Sequence, residues 1–248
     1  MEEAVRLVSA GDPAIVCLQE LPVWSLAKLE AWSGMTSISA VTVRPSVGPV
    51  PIPATLGRRL VQLDPPRLRS AFCGQGNAVL VSRLAHVLDS RTLVLNDAGF
   101  RRAQGRRLQL DLATRLAWAK ERRVCQAVRL VLPDGRRALV ANLHASALGF
   151  DERLADAELL RAASFADALA DPRDLVVLAG DFNVVSGRSA TLETLTTAEW
   201  RFSPPGPGLD QILVRGVDVV DLHAWPLERR WVSGRLLSDH APVEATVA

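Results

Sequence analysis

Strand-length apolar runs that finish on a charged or polar side chain constrain this chain more than any other feature. Short β-branched runs recur along almost its whole length, at 14–18, 37–44, 77–82, 124–132, 137–146, 175–180, 209–214, 217–223 and 241–247, each bounded by Gly, Pro, Asp or Ser. Several lead straight into chemistry. The first runs into Gln19 and Glu20, and the run 175–180 into Asp181, Phe182 and Asn183. The run 137–146 carries Asn142, Leu143 and His144, and Asp239 and His240 stand together where the last run starts. Neighbouring strands bring their terminal residues to a common rim of the sheet, so groups far apart in sequence can converge there. Alone, each such carboxylate reads as a turn or cap residue, and His144 as a core histidine. Several such strand ends in one chain point instead to an assembled site. Hard oxygen ligands of this kind suit Mg²⁺ or Mn²⁺ rather than zinc, which takes Cys and His.

Helical patterns interrupt the strands. Residues 2–10 form one, with Gly11 as a stop, and 24–33 follow Pro22. Residues 151–170 carry an apolar stripe of Leu154, Leu159, Leu160, Phe165 and Leu169, with Asp151 placed to cap it. A further helix is expected over 99–120. Residues 84–92 fit neither pattern cleanly, and 45–66, rich in Pro and Gly, read as a surface loop. Pro133-Asp134-Gly135 between two runs reads as a tight hairpin turn. With no repeat and no linker, these elements predict one domain over residues 1–248, an α/β fold of two packed sheets with helices outside.

Composition narrows the class. At 248 residues and 48% hydrophobic, the chain can bury a sizeable core and is not disordered. It has no run of about 20 apolar residues to span a membrane. The scattered Cys17, Cys73 and Cys125 are neither a disulfide framework nor a zinc site, and the acidic Met1-Glu2-Glu3 start is no signal peptide. A reducing, cytoplasmic setting is expected. The 29 Lys+Arg and 27 Asp+Glu nearly cancel, yet arginines cluster at Arg101-Arg102, Arg106-Arg107 and Arg122-Arg123. The plain reading is a solvated helix face. Guanidinium forks also match phosphate geometry, so the cluster is a candidate surface for a polyanion.

The blocks Ile15-Val16-Cys17-Leu18-Gln19-Glu20, Gly76-Asn77-Ala78-Val79-Leu80-Val81-Ser82, Asn142-Leu143-His144, Gly180-Asp181-Phe182-Asn183, Leu209-Asp210-Gln211-Ile212-Leu213 and Ser238-Asp239-His240-Ala241-Pro242-Val243 resemble, in order and over nearly the whole chain, the endonuclease/exonuclease/phosphatase superfamily. The resemblance implies a four-layer α/β sandwich, two packed mixed β-sheets flanked by helices. It also implies a Mg²⁺- or Mn²⁺-dependent phosphoesterase acting by in-line attack of water. By the same resemblance, Glu20 is a metal-binding glutamate and Asp239 a second metal ligand. Asp181 positions or deprotonates the water, Asn183 hydrogen-bonds the phosphoryl oxygens, and His240 meets the scissile phosphate, oriented by Asp210. His144 contacts the phosphate or protonates the leaving group, and Arg123 stands near the substrate. The expected partner is a phosphodiester, with nucleic acid among the candidates, and the expected state is a monomer. A lipid or inositol-phosphate phosphatase and an inert phosphate-binding module are the alternatives. The chain has no tyrosine and no asparagine before Glu20, where family members carry a first strand ending in Asn. Met1 is therefore expected to be an internal start, with roughly 20–40 further residues in the native product, a strand and a short loop.

Overall fold

In the computed structural model, which describes residues 1–47, 50–63, 72–147 and 151–248, the apolar runs become strands distributed over two units, Met1–Arg83 and Leu84–Ala248. The first unit runs α1 (Glu2–Ser9), β1 (Ile15–Leu21), α2 (Val23–Leu26), α3 (Leu29–Ser33), β2 (Thr36–Val43), a ribbon of β3 (Ser46–Val47) and β4 (Val50–Pro51), α4 (Ala54–Leu63) and β5 (Gln75–Val81). Its sheet has the order β1-β5-β2 and is antiparallel throughout. Val16, Leu18, Leu21, Ala78 and Leu80 on one sheet face pack with Val5, Leu29 and Met35 into an apolar cluster.

Three expectations change here. α1 closes on Ala10, whose N–H bonds to Leu7 O, and the left-handed residue is Asp12 (φ 48°), not Gly11. The helix expected over 24–33 is two short ones, because the backbone turns at Lys28 before α3 ends on left-handed Gly34. The expected loop 45–66 contains β3, β4 and α4. Pro53 sits just ahead of α4, where a missing N–H leaves no helical bond unmade, and its carbonyl accepts from Leu56 and Gly57 N–H at 3.0 and 3.1 Å. Residues 48–49 and 64–66 of that segment lie outside the described residues.

The second unit runs β6 (His86–Val94), α5 (Ala98–Arg107), α6 (Leu112–Lys120), β7 (Val124–Val131), β8 (Arg137–His144), α7 (Glu152–Leu169), β9 (Leu175–Asp181), α8 (Ala190–Leu195), β10 (Asp210–Arg215), β11 (Val219–Ala224), β12 (Trp231–Val232), β13 (Arg235–Leu236) and β14 (Val243–Val247). Five strands form a mixed sheet in the order β10-β9-β8-β7-β6, in which only β8 and β9 are parallel. A parallel pair needs a crossover, and α7 supplies it. β11 pairs with β14, and β12 with β13. Ala155, Leu159, Ala162, Ala163 and Ala166 of α7 share a buried cluster with Leu139, Ala141, Leu143, Val176 and Leu178 of the sheet. The stripe on α7 is thus largely alanine; Leu160, expected inside, is 38% exposed.

The expected helix 99–120 is α5 and α6, broken at Gln109 (φ 53°). Each half has its own cap: Asp97 accepts from Phe100 N–H at 3.0 Å and Asp111 from Thr114 N–H at 2.7 Å. The hairpin turn forms as expected, with Gly135 at φ 85° and its N–H on Leu132 O at 2.9 Å. No disulfide joins the three cysteines. Among the described residues, no helix is long and apolar enough to cross a membrane.

Candidate active site

Three strand ends of the five-stranded sheet build the site. His144 ends β8 and Asp181 ends β9; because the strands are parallel, the two are register partners. β10 runs antiparallel to β9, so its first residue, Asp210, stands opposite Asp181. The Gly-Asp-Phe-Asn sequence makes each part of this local. At Gly180, φ is 135° and a Cβ would lie 1.9 Å from Leu143 O, so only glycine lets β9 pass β8 this closely one residue before the site. Phe182 is fully buried and anchors the turn. Asn183 takes φ 51°, a conformation Asn tolerates better than most residues. The turn lets Asn183 N–H donate to Asp181 Oδ1 at 3.1 Å and Asn183 Nδ2 donate to Ala145 O at 3.0 Å.

Opposite Asp181, His240 Nδ1 and Asp210 Oδ2 are 2.8 Å apart. A carboxylate acceptor at that distance selects the tautomer with the proton on Nδ1. Burial pulls the His240 pKa down. The hydrogen bond and charge of Asp210, with the charges of Asp181 and Asp239, outweigh it and hold the pKa above the ordinary imidazole value. The Asp181 pKa rises as well. Burial, then repulsion from Asp210, pushes its pKa up to about 6, against the Asn183 N–H and His240.

His144 and Arg123 form a buried pair beside them. Arg123 Nη1 lies 2.9 Å from His144 Nδ1 and 3.0 Å from Nε2, so it can donate to whichever ring nitrogen is unprotonated. Burial, then the positive charges of Arg123 and His240, push the His144 pKa down to about 3. The ring is a neutral hydrogen-bonding group 3.5 Å from Asp181 Oδ2. Arg123 also bonds Glu121, and its own N–H donates to Asn96 Oδ1 at 2.9 Å.

Asp181, Asp210 and His240 each offer one metal-ligating atom, all within 4.8 Å of one another. Of the three, the two carboxylates are oxygen donors of the kind a hard divalent cation takes. Asp239 is exposed and outside this group, though its charge reaches His240. Glu20 lies in the first unit. There the pairing of β1 with β5 jumps from Leu18–Ala78 to Leu21–Gly76, and Glu20 sits in that bulge, exposed, at φ 54°.

Sequence reasoning missed two supports. Asn96 is buried and donates to Trp118 O (3.3 Å) and Glu121 O (2.6 Å) while accepting from Arg123, so it pins the segment that carries Arg123. Glu158 is fully buried on α7 and accepts from Trp118 Nε1 (2.6 Å), Ser146 N–H (2.7 Å) and Ser146 Oγ (2.9 Å), two residues past His144. Neither lies in a motif. A glutamate on the alanine face of α7 was the only available signal for the second.

Known proteins share this fold. A model of the "Endonuclease/Exonuclease/phosphatase family" matches residues 1–240. A solved endonuclease/exonuclease/phosphatase from Bacteroides vulgatus superposes with TM-score 0.67 at 17% identity, over 100% of this chain and 89% of that one. TDP2 from Caenorhabditis elegans gives 0.59 at 15%, over 99% and 67%. The human Nocturnin catalytic domain, solved with a bound sulfate anion, gives 0.58 at 17%, over 99% and 87%. No match was found among curated protein sequences.

Proposed function

This chain belongs to the endonuclease/exonuclease/phosphatase family, and from that membership we propose that it hydrolyses a phosphodiester by in-line attack of water, using Mg²⁺ or Mn²⁺. The observation that carries the reading is Asp181, buried with its pKa pushed up to about 6, facing the hydrogen-bonded Asp210–His240 pair. A carboxylate titrating near 6 is still ionised at neutral pH and is basic enough to take a proton from an oriented water. His240, held above its ordinary pKa, brings positive charge to phosphoryl oxygens as negative charge develops on them. Asn183 uses one amide hydrogen on Ala145 O and has a second to offer a phosphoryl oxygen.

His144 is assigned to contact the phosphate. Its burial disfavours the imidazolium that leaving-group protonation would need. Arg123 fixes that ring and adds charge. Glu20 and Asp239 are the proposed metal ligands, and carboxylate oxygens of Asp181 and Asp210 stand close enough together to share an ion. When bound, the cation polarises a phosphoryl oxygen and makes water more acidic. The sulfate in Nocturnin supports an oxyanion site in this fold.

Within this class we favour a nucleic-acid substrate, because Arg102, Arg106 and Arg107 lie exposed on α5, in the segment that leads to Arg123. A monomer in a reducing compartment belongs to the same reading. The test is a substrate panel with Mg²⁺ and Mn²⁺: single- and double-stranded DNA, abasic DNA, RNA, sphingomyelin and inositol phosphates. Turnover on a nucleic acid supports the reading. Turnover confined to a lipid or inositol phosphate transfers the site to a phosphatase, and none on any arm favours an inert module.

A further inference from the structure

Asn77 is a buried polar residue followed by the apolar run 78–81. It lies on β5 at 1% exposure, flanked by buried Ala78 and Val79. Its Nδ2 has no hydrogen-bond partner among the described residues. Buried amides are almost always bonded, so an orphan asks for a partner that binds later. Across the ladder from Asn77, β1 has its bulge: Leu18 pairs with Ala78 and Leu21 with Gly76, so Gln19 and Glu20 together face Asn77. Leu18, Leu21 and Ala78 all point into the apolar cluster of the first unit. By the alternation of a strand, Asn77 and Glu20 therefore project from the other face, on the same side of the sheet. Glu20 is held at φ 54°, a left-handed conformation unusual for a glutamate, which re-aims its side chain.

We propose that Asn77 is a positioning residue for Glu20, its Nδ2–H donating to the Glu20 carboxylate when that carboxylate takes up a divalent cation. The inference rests on the assignment of Glu20 as a metal ligand made above. A bulge sets the backbone, and the amide then fixes which carboxylate oxygen is left for the ion.

The experiment is a Mn²⁺ titration of the full chain, with free Mn²⁺ followed by electron paramagnetic resonance and each variant's melting temperature measured without metal. Asn77→Leu keeps the branched outline of the side chain and removes the amide. We expect its Mn²⁺ affinity to fall about 10–100-fold, the range found when a hydrogen-bond partner of a metal ligand is removed. Its metal-free melting temperature should be unchanged or higher, because an orphaned buried amide is gone. Turnover at saturating Mn²⁺ should stay within a few-fold of the parent. Asn77→Ser, whose hydroxyl is too short to replace the amide, is read in parallel so that the result does not depend on one variant. Glu20→Gln should lose binding, and adding Asn77→Leu to it should weaken binding no further. If Glu20→Gln loses Mn²⁺ while both Asn77 variants bind as tightly as the parent, the positioning role is wrong and the ligand assignment survives. If Glu20→Gln also binds normally, the ligand assignment fails and takes the role of Asn77 with it.

Discussion

Replacing Gly180 by alanine should damage this protein more than any comparable exposed-turn glycine. At φ 135° an L-residue is in a region it rarely occupies, and the new Cβ would sit 1.9 Å from Leu143 O. Backbone strain of this kind costs about 1–3 kcal/mol. The contact is with main chain, so β8 and β9 must separate by more than an ångström, which weakens roughly two ladder hydrogen bonds at about 1 kcal/mol each. The sum is about 3–5 kcal/mol. For a domain of this size each kcal/mol is worth roughly 2–4 °C, so the melting temperature should fall by roughly 6–20 °C. Gly187→Ala is the control. It has φ 82° with nothing within 4 Å of the added Cβ, so only the left-handed cost of about 1–2 kcal/mol remains. Thermal melts followed by circular dichroism compare the two. A Gly180→Ala protein as stable as Gly187→Ala would refute the close approach of β8 and β9 beside the site. Should enough Gly180→Ala fold to assay, displacement of Asp181 by about 1 Å should lower turnover about 10²-fold.

Further outcomes follow from the same geometry. His240→Ala and Asp210→Asn should each reduce turnover by about 10²-fold or more, and the double variant little beyond the worse single, as for residues acting as one unit; fully multiplicative losses in kcat would break the pairing. Folding raises the Asp181 pKa from 3.8 to about 6, so at this residue the metal-free protein is favoured below pH about 4 and loses stability as pH climbs to about 6. Asp181→Asn should therefore raise the melting temperature of the metal-free protein at pH 7, by an amount worth about 2–3 kcal/mol, and flatten that part of the stability–pH curve; a lower melting temperature would contradict the buried, repelled carboxylate. Binding of a single-stranded oligonucleotide should weaken steeply with salt, and Arg106→Ala with Arg107→Ala should reduce the log–log slope by about 1–2; an unchanged slope would return these arginines to a solvated face.

The strand ends were legible because side-chain chemistry changes at one residue. The run 175–180 is apolar until Asp181, and no other place in it can stop a buried strand. Asp210 was visible only through its motif; nothing in residues 209–214 says that β10 is antiparallel to β9 and faces Asp210 to Asp181. α4 was hidden because Pro and Gly around 45–66 mark loops in general, although Pro53 lies just ahead of a helix. The break at Gln109 carries no Gly or Pro, and only Asp111 as a cap announces the second helix. Edge strand β6 was missed because its residues alternate between half-buried and exposed, with Leu88 and Arg91 left in solvent. Asn77, Asn96 and Glu158 were illegible for a different reason: each matters through a partner distant in sequence or across a ladder, which no local pattern encodes.

Cation-dependent phosphodiester hydrolysis through Asp181 is most directly tested with protein stripped by chelation and assayed on bis(4-nitrophenyl) phosphate. No hydrolysis should remain after stripping, Mg²⁺ or Mn²⁺ should restore it, and Asp181→Asn should stay inactive at saturating metal while remaining folded. Hydrolysis that survives exhaustive chelation, or an Asp181→Asn protein as active as the parent, would contradict the account.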